Sequence, residues 1–366
     1  MSVSFLGGLI FVLVFAGMIL VHELGHFIVA RLMRIEVEEF GIGFPPRILT
    51  LFTWKGTKFS LNWIPLGGFN RIKGEDDPTI AGGMAAAAPW KRLTVLFAGS
   101  FMNLLTAVLA YSLLFYQIGI PKTHTVAIAE VTPRSPAENA GILAGDIVLA
   151  ANGESIESVS ELQAIIRAHL DQPVSLSLKR GDRQVEISVT PLSSRTTKQG
   201  AIGVLLGTPL RPAGNWFETL PFSFQATYGT VRELLALPGQ IVAGAIQPQE
   251  AQLAGPRSIW NLFQQSVSRD VESREASAQD AGQRPTNYTL FTVISLTISL
   301  GILNLLPIPA LDGGRILFTL PELFFRRRLP PKFEAVIHGV GFIVLLSLLG
   351  YFYILDFINP VTINLP

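Results

Sequence analysis

The stretch VSFLGGLIFVLVFAGMILVHELGHFIVA, residues 3–30, carries no charged side chain before Glu23. A run of this length and apolarity predicts a membrane-crossing helix, which needs about 20 residues. Its last third nevertheless holds His22, Glu23 and His26. Ionisable groups are costly to bury in hydrocarbon and mark functional sites there. Positions i and i+4 lie one above the other on a helix. His22 and His26 can therefore grip one zinc ion, with Glu23 beside them as general base. A secretory signal peptide is the competing reading, but it needs a basic leading segment and a shorter apolar core. Met1 and Ser2 supply no charge.

Composition supports the membrane reading. The 366 residues include 24 Phe and only 15% charged residues, with a mean hydropathy of +0.43. That profile fits a polytopic membrane protein with soluble insertions better than a single globular domain. A net charge of +1 gives no bulk attraction to nucleic acid, and no basic stripe stands out. The chain has no Cys. Disulfides and thiolate metal sites are therefore excluded, and zinc must be held by His and carboxylate.

Four apolar windows predict transmembrane helices at roughly 3–30, 93–118, 290–311 and 335–355. His338, near the start of the last, reads as interfacial and incidental. Lys and Arg orient the spans. The connection 31–92 holds nine of them, and 312–334 holds five. The long connection between the second and third spans holds fourteen, but long loops translocate regardless of charge. Both short basic connections should be cytoplasmic, which places both termini and the long loop outside. On this topology the end of the third span, Asn304-Leu305-Leu306-Pro307-Ile308-Pro309-Ala310-Leu311-Asp312-Gly313-Gly314, reaches the same side as His22 and His26. Asp312 is then the natural third zinc ligand; its alternative role is to cap a following helix.

The two motifs together, H-E-x-x-H in the first span and N-x-x-P-x-P-x-L-D-G-G in a later one, resemble the site-2 protease family of intramembrane metalloproteases, bacterial RseP type. The resemblance runs through most of the chain. Phe40-Gly41-Ile42-Gly43-Phe44-Pro45 is similar to the family's Gly-Phe-Gly segment, and Ile64-Pro65-Leu66-Gly67-Gly68-Phe69 to its P-L-G-G-[FY] segment. Ala98-Gly99-Ser100-Phe101-Met102-Asn103 resembles A-G-P-x-x-N, with Ser100 in place of Pro, and Gly255-Pro256-Arg257-Ser258-Ile259 resembles G-P-x-x-I. The resemblance implies Zn2+ held by His22, His26 and Asp312, with Glu23 activating water. It also implies a substrate cleft lined by Asn304 and Pro307, with Gly41, Gly43 and Phe44 in the substrate-binding segment. Independently, prolines that break a span are tolerated where the freed backbone lines a cavity or is buried in protein. Asn304 in a span either serves that cleft or ties helices together.

Between the spans, three segments have characters of their own. Residues 57–64 alternate apolar and polar, with turn signals at Gly56 and Gly67-Gly68, and predict a β-hairpin dipping toward the membrane. Its edge strand could take over the hydrogen bonds of an unwound substrate. Residues 124–192 carry Ser135-Pro136-Ala137-Glu138-Asn139-Ala140-Gly141-Ile142 and Gly145-Asp146-Ile147-Val148, a pattern that resembles bacterial PDZ domains. Strands are expected at 125–129, 173–180 and 184–190, with a helix at 158–169. Residues 216–260 mix Phe and Leu with charges and are cut by Pro221 and Pro238, which suits amphipathic helices at the outer membrane surface. Residues 264–286 are rich in Ser, Gln, Arg, Glu and Asp and read as a mobile linker.

The expected architecture is a polytopic α-helical membrane protein with four transmembrane helices, a membrane-associated β-hairpin region and an inserted α+β PDZ domain. Its divisions are 1–118, 119–200 for the PDZ domain, 201–288, and 289–366. The expected function is zinc-dependent intramembrane endopeptidase activity in the bacterial cytoplasmic membrane, with the PDZ domain and both termini outside. By the family resemblance, substrates are single-span membrane proteins, such as anti-sigma factors already trimmed by a site-1 protease, or remnant signal peptides. A peptide or substrate C-terminus would occupy the PDZ domain, the bilayer surrounds the spans, and no nucleic acid is involved. The alternative is a catalytically silent membrane scaffold with a PDZ peptide receptor and a structural metal. A metal transporter is disfavoured because paired internal repeats are absent from the sequence.

Overall fold

The computed structural model describes residues 3–193, 200–244, 255–279 and 286–358. Helix α1 (Val3–Leu32) leads into strands β1 (Val37–Trp54) and β2 (Thr57–Ile72), then helix α2 (Pro89–Ile118). A module follows with β3 (Ile120–Pro121), β4 (Val126–Val131), α3 (Pro136–Asn139), β5 (Ile147–Ala151), β6 (Glu154–Ser155) and α4 (Val159–Ala168). It continues through β7 (Val174–Arg180), β8 (Arg183–Val189), β9 (Val204–Gly207) and β10 (Leu210–Arg211). Helices α5 (Leu220–Val242), α6 (Pro256–Gln279), α7 (Tyr288–Leu305), α8 (Asp312–Phe325) and α9 (Pro331–Ile358) complete the chain. Two compact units result: residues 1–114 with 220–366, and residues 115–219.

In the first unit, α1, α2, α7 and α9 contain windows long and apolar enough to cross a membrane, with mean hydropathy of 1.7 to 2.1. None of the α9 window is buried within the protein, so its apolar surface needs lipid around it. The third span stops at Leu305 rather than 311. Pro307 forces the residue before it out of helical geometry, and Leu306 is extended (φ −62°, ψ 142°).

Residues 264–286 are not a linker along their described length. Helix α6 runs through to Gln279, and residues 280–285 lie outside the described residues. One face buries Phe263 and Val267. Polar residues do the rest of the docking: Ser266 Oγ lies 2.8 Å from Thr292 Oγ1, and Asp270 accepts the backbone N–H groups of Tyr288 and Thr289. Those two N–H groups are unpaired donors of the first turn of α7. Neither proline cuts the segment before it. Pro221 sits in the first turn of α5, where no N–H is needed, and the helix continues past Pro238.

Strands β1 and β2 form an antiparallel sheet that folds over itself. Trp54 faces Thr57 across a two-residue loop in which Lys55 and Gly56 have φ of 46° and 87°, the left-handed values a type I′ hairpin requires. The opening half of β1, Glu39–Ile42, has partners on both sides, Lys58–Leu61 and Gly68–Arg71. Residues 68–72 are therefore an open edge. Buried Glu39 pins the centre, accepting from Arg47 at 2.6 and 2.8 Å and from Ser60 at 2.7 Å. Phe27 of α1 packs on Phe40 and Phe59, fastening the sheet to the first span.

The second unit holds a sheet of order β8-β7-β5-β4-β9, with β6 beside β5. The expected strands and helix are all present, α4 starting on a Ser158–Glu161 capping box. Strands β5 and β6 lie within and just after the quoted motif, where no strand was expected, and β9 (204–207) joins the sheet beyond the expected end of the module at 200. A core of Val126, Ile128, Ile142, Val148, Leu162, Leu176 and Leu178 fills the interior. Asp146 is buried beside it and accepts from Arg180 Nε (2.8 Å) and Nη2 (2.7 Å) and from the Leu143 N–H (2.9 Å). The Arg180 hydrogen bonds hold its carboxyl below the usual Asp value of 3.8. A folded-state value below the unfolded one adds stability at higher pH that is lost as pH falls through the folded value. Asp146→Ala in the isolated unit 115–219 is expected to lower stability in urea by about 2 kcal/mol at pH 7. The difference from wild type should shrink below about pH 4.

Candidate metal centre

Helix α1 presents His22 and His26 one turn apart, and the N-terminus of α8 presents Asp312 to them. His22 Nε2 lies 3.1 Å from Asp312 Oδ2, His26 Nε2 lies 3.2 Å from the same oxygen, and the two imidazole nitrogens are 3.1 Å apart. Both histidines are buried and Asp312 is partly so. Asp312 is the first residue of α8 and does not cap it; Leu311 stands at the cap, without a side-chain hydrogen bond.

Proton placement tests whether zinc fits. His26 Nδ1 is 2.8 Å from the Val95 carbonyl oxygen, to which only an N–H can donate. The Nε2 lone pair is thereby left free. On His22, Nδ1 faces the amide of buried Asn103 at 3.4 Å. Asn103 Oδ1 has no partner, and turning the amide over lets it accept from His22 Nδ1–H. Two imidazole lone pairs and a carboxylate oxygen then converge with no proton among them, an arrangement that calls for a cation. Ligands on a tetrahedral zinc with bonds of about 2.0–2.2 Å stand about 3.3 Å apart. The three observed edges fit that spacing.

Two glycines make this packing possible. An added β-carbon at Gly99 would lie 2.4 Å from His26 Nε2 and 2.7 Å from His22 Nε2, and one at Gly25 would lie 2.4 Å from the Ala98 carbonyl oxygen. Gly99 is therefore the wall against which the two histidines of the candidate metal site pack, and Gly25 brings α1 against α2.

A cavity of about 400 Å³ opens beside the three donors. Glu23, Asn304 and Phe44 line it, as does the open sheet edge with Gly68, Phe69 and Asn70. Asn304 Nδ2 is 3.4 Å from His22 Nε2. The edge reaches the site because Gly67, at φ 92°, lies against Ile19, where an added β-carbon would meet Cγ2 at 2.8 Å. Gly41, Gly43 and Pro307 are not among the lining residues. A side chain at Gly41 would strike Phe69 and Asn62, and one at Gly43 (φ 81°) the Ile64 carbonyl; both glycines serve the sheet. Pro307 is exposed, and its contribution is to end α7. Gly99, Asn103, Asn70 and His338, none of them singled out in the sequence as site residues, also belong to the site or its support.

Residues 10–348 match peptidase family M50. The chain belongs to this family, the site-2 proteases. It is a zinc metalloendopeptidase and a membrane protein. A Clostridium perfringens protein named "Putative zinc metalloprotease" is 31% identical over 350 residues, covering 95% of this chain and 98% of the relative. A Helicobacter pylori protein of the same name is also 31% identical, covering 93% and 97%. Zinc metalloprotease RasP of Geobacillus kaustophilus is 26% identical, covering 93% and 94%. The solved PDZ domain of an SdrC-like protein from Listeria monocytogenes aligns with 23% of this chain and 90% of its own length, at 22% identity and a TM-score of 0.21.

Proposed function

We propose that this M50 peptidase cuts within or near the transmembrane segments of single-span proteins in the bacterial cytoplasmic membrane, and that His22, His26 and Asp312 hold its zinc. The observation that carries the reading is the open sheet edge, residues 68–72, lining the same cavity as the three donor atoms and Glu23. A helical peptide bond is shielded by its own hydrogen bonds, so a span must unwind before it can be cut. The unpaired backbone groups of the edge can take over those bonds and hold the substrate extended. When bound, zinc supplies Lewis acidity toward the scissile carbonyl and a lowered pKa for water. Glu23 takes the proton of the attacking water and returns it to the leaving amine. Asn304 offers an amide donor to the oxygen on which negative charge develops, and Phe44 bounds the cleft.

The module in the second unit is proposed as a PDZ receptor for a peptide or substrate C-terminus. A groove of about 470 Å³ lies between α4 and β9, lined by Gln163, Ile166 and Arg167 on one side and Leu205 and Leu206 on the other. Gly200, at φ 63°, lines it together with Ala201 and Ile202, and successive backbone N–H groups of such a segment can capture a carboxylate. Substrates of the anti-sigma-factor or remnant-signal-peptide kind, previously trimmed by another protease, fit the proposal.

Purified protein incubated with a single-span reporter tests it. Cleavage inside the span is expected, halting on zinc chelation and returning with one equivalent of Zn2+ per chain. A reporter left intact under all metal conditions would favour the silent scaffold.

A further inference from the structure

The loop that delivers Asp312 is gripped from behind by α9. Ala310, two residues ahead of the ligand, has φ 78°, a left-handed conformation that a residue with a β-carbon seldom adopts. Its N–H donates to His338 Nδ1 at 2.9 Å. Phe318 of α8 meets the His338 ring edge-on, with centroids 5.3 Å apart. Three residues further along α9, Gly341 faces Pro309 so closely that an added β-carbon would lie 2.2 Å from Pro309 Cβ. Helix α9 thus approaches the loop as near as a glycine allows, and His338 reaches its one strained peptide. In the sequence the same histidine looks incidental.

We propose that His338 is a positioning residue for Asp312: its Nδ1 acceptor locks the Ala310 peptide and thereby sets where the carboxylate stands. The physical case rests on what the acceptor opposes. An Ala at positive φ relaxes to negative φ unless its surroundings over-determine it. Such a change rotates the 310–311 peptide and swings everything that follows, Asp312 first. The Ala310 N–H belongs to the 309–310 peptide, so its hydrogen bond to His338 fixes the plane immediately upstream of the strained bond and leaves the loop no freedom to absorb the change there. Neighbouring Gly313 and Gly314 leave little room for compromise, since each already packs against loop carbonyl oxygens, of Leu306 and Ile308. Groups that orient metal ligands in this way typically change metal affinity by about 10–100-fold when removed.

The inference rests on Asp312 being a zinc ligand, so the experiment includes Asp312→Ala in the full-length protein. Zinc affinity is measured by competition with a chromophoric chelator, and ligand geometry by the visible absorption of the Co2+-substituted protein. His338→Leu is expected to bind zinc at least about tenfold more weakly and to shift the Co2+ bands. His338→Asn keeps an acceptor where Nδ1 stood, and should restore both to within about threefold of wild type. His338→Leu with wild-type affinity and spectrum overturns the inference while leaving the zinc site intact, provided Asp312→Ala has lost the metal. An Asn variant as impaired as Leu also overturns it, because ring packing rather than the acceptor would then be what matters. If Asp312→Ala itself retains zinc, the ligand assignment fails instead.

Discussion

Glu23→Gln is expected to reduce kcat/KM for a single-span reporter by about 10²–10⁴-fold, with zinc content unchanged. Gln keeps the size of the side chain and can still fill its place on the cavity wall next to His22 and His26. It cannot take up a proton. The expected signature is therefore a fall in kcat with little change in KM, because Glu23 is assigned no part in holding the peptide. Metal analysis of the same preparation separates loss of the base from loss of zinc, since the proposed zinc donors are His22, His26 and Asp312. Cleavage within about tenfold of wild type, below the usual contribution of a general base, would remove Glu23 from the chemistry. It would also revive the structural-metal alternative, in which a carboxylate at this position has no task.

What could be read from the sequence was chemistry concentrated in short runs. His22, Glu23 and His26 stand out because they interrupt hydrocarbon, and Asp312 because it ends a span at the depth the topology argument gives to the histidines. The hairpin and the second-unit module were legible through local alternation and turn residues. What stayed hidden depends on which helix faces meet. Gly99 and Asn103 stand in the run that resembles A-G-P-x-x-N, but nothing in that run gives Gly99 a task until His22 and His26 are packed against it. Asn103 and His338 act through one hydrogen bond each, to partners 81 and 28 residues away. Helix α6 was missed for a different reason. Its buried apolar residues are few, and it is held by carboxylates and hydroxyls: its own Asp270, which accepts the first N–H groups of α7, and Asp356 of α9, which accepts the N–H groups of Arg257 and Ser258 at 2.8 and 3.0 Å. A composition that reads as disordered in isolation is ordered here by the helix ends it satisfies. Strand β9 escaped because four residues carry too little pattern to announce a strand.

Gly99→Ala is expected to cripple the enzyme through its metal rather than its fold. The new methyl group would stand 2.4 Å from His26 Nε2, 2.6 Å from His22 Cε1 and 2.7 Å from His22 Nε2. A non-bonded methyl carbon is not tolerated within 3.0 Å of another heavy atom, so one or both rings must move. His26 is not free to do so without giving up its 2.8 Å hydrogen bond to Val95. His22 moves only by leaving Asn103 and Asp312. Either way the three donor atoms spread beyond the spacing zinc requires. Zinc affinity should fall by about 10–100-fold or more, and cleavage at limiting zinc should fall with it. Excess Zn2+ should rescue part of the activity, which a folding defect would not allow. Gly17→Ala on α1 supplies the control: an added β-carbon there meets nothing within 4 Å, and Ala is the better helix former by about 1 kcal/mol. That variant should keep zinc and activity. A Gly99→Ala protein with undiminished zinc affinity would mean that the imidazoles are not packed against this face of α2, and the geometry assigned to the metal centre would have to be abandoned.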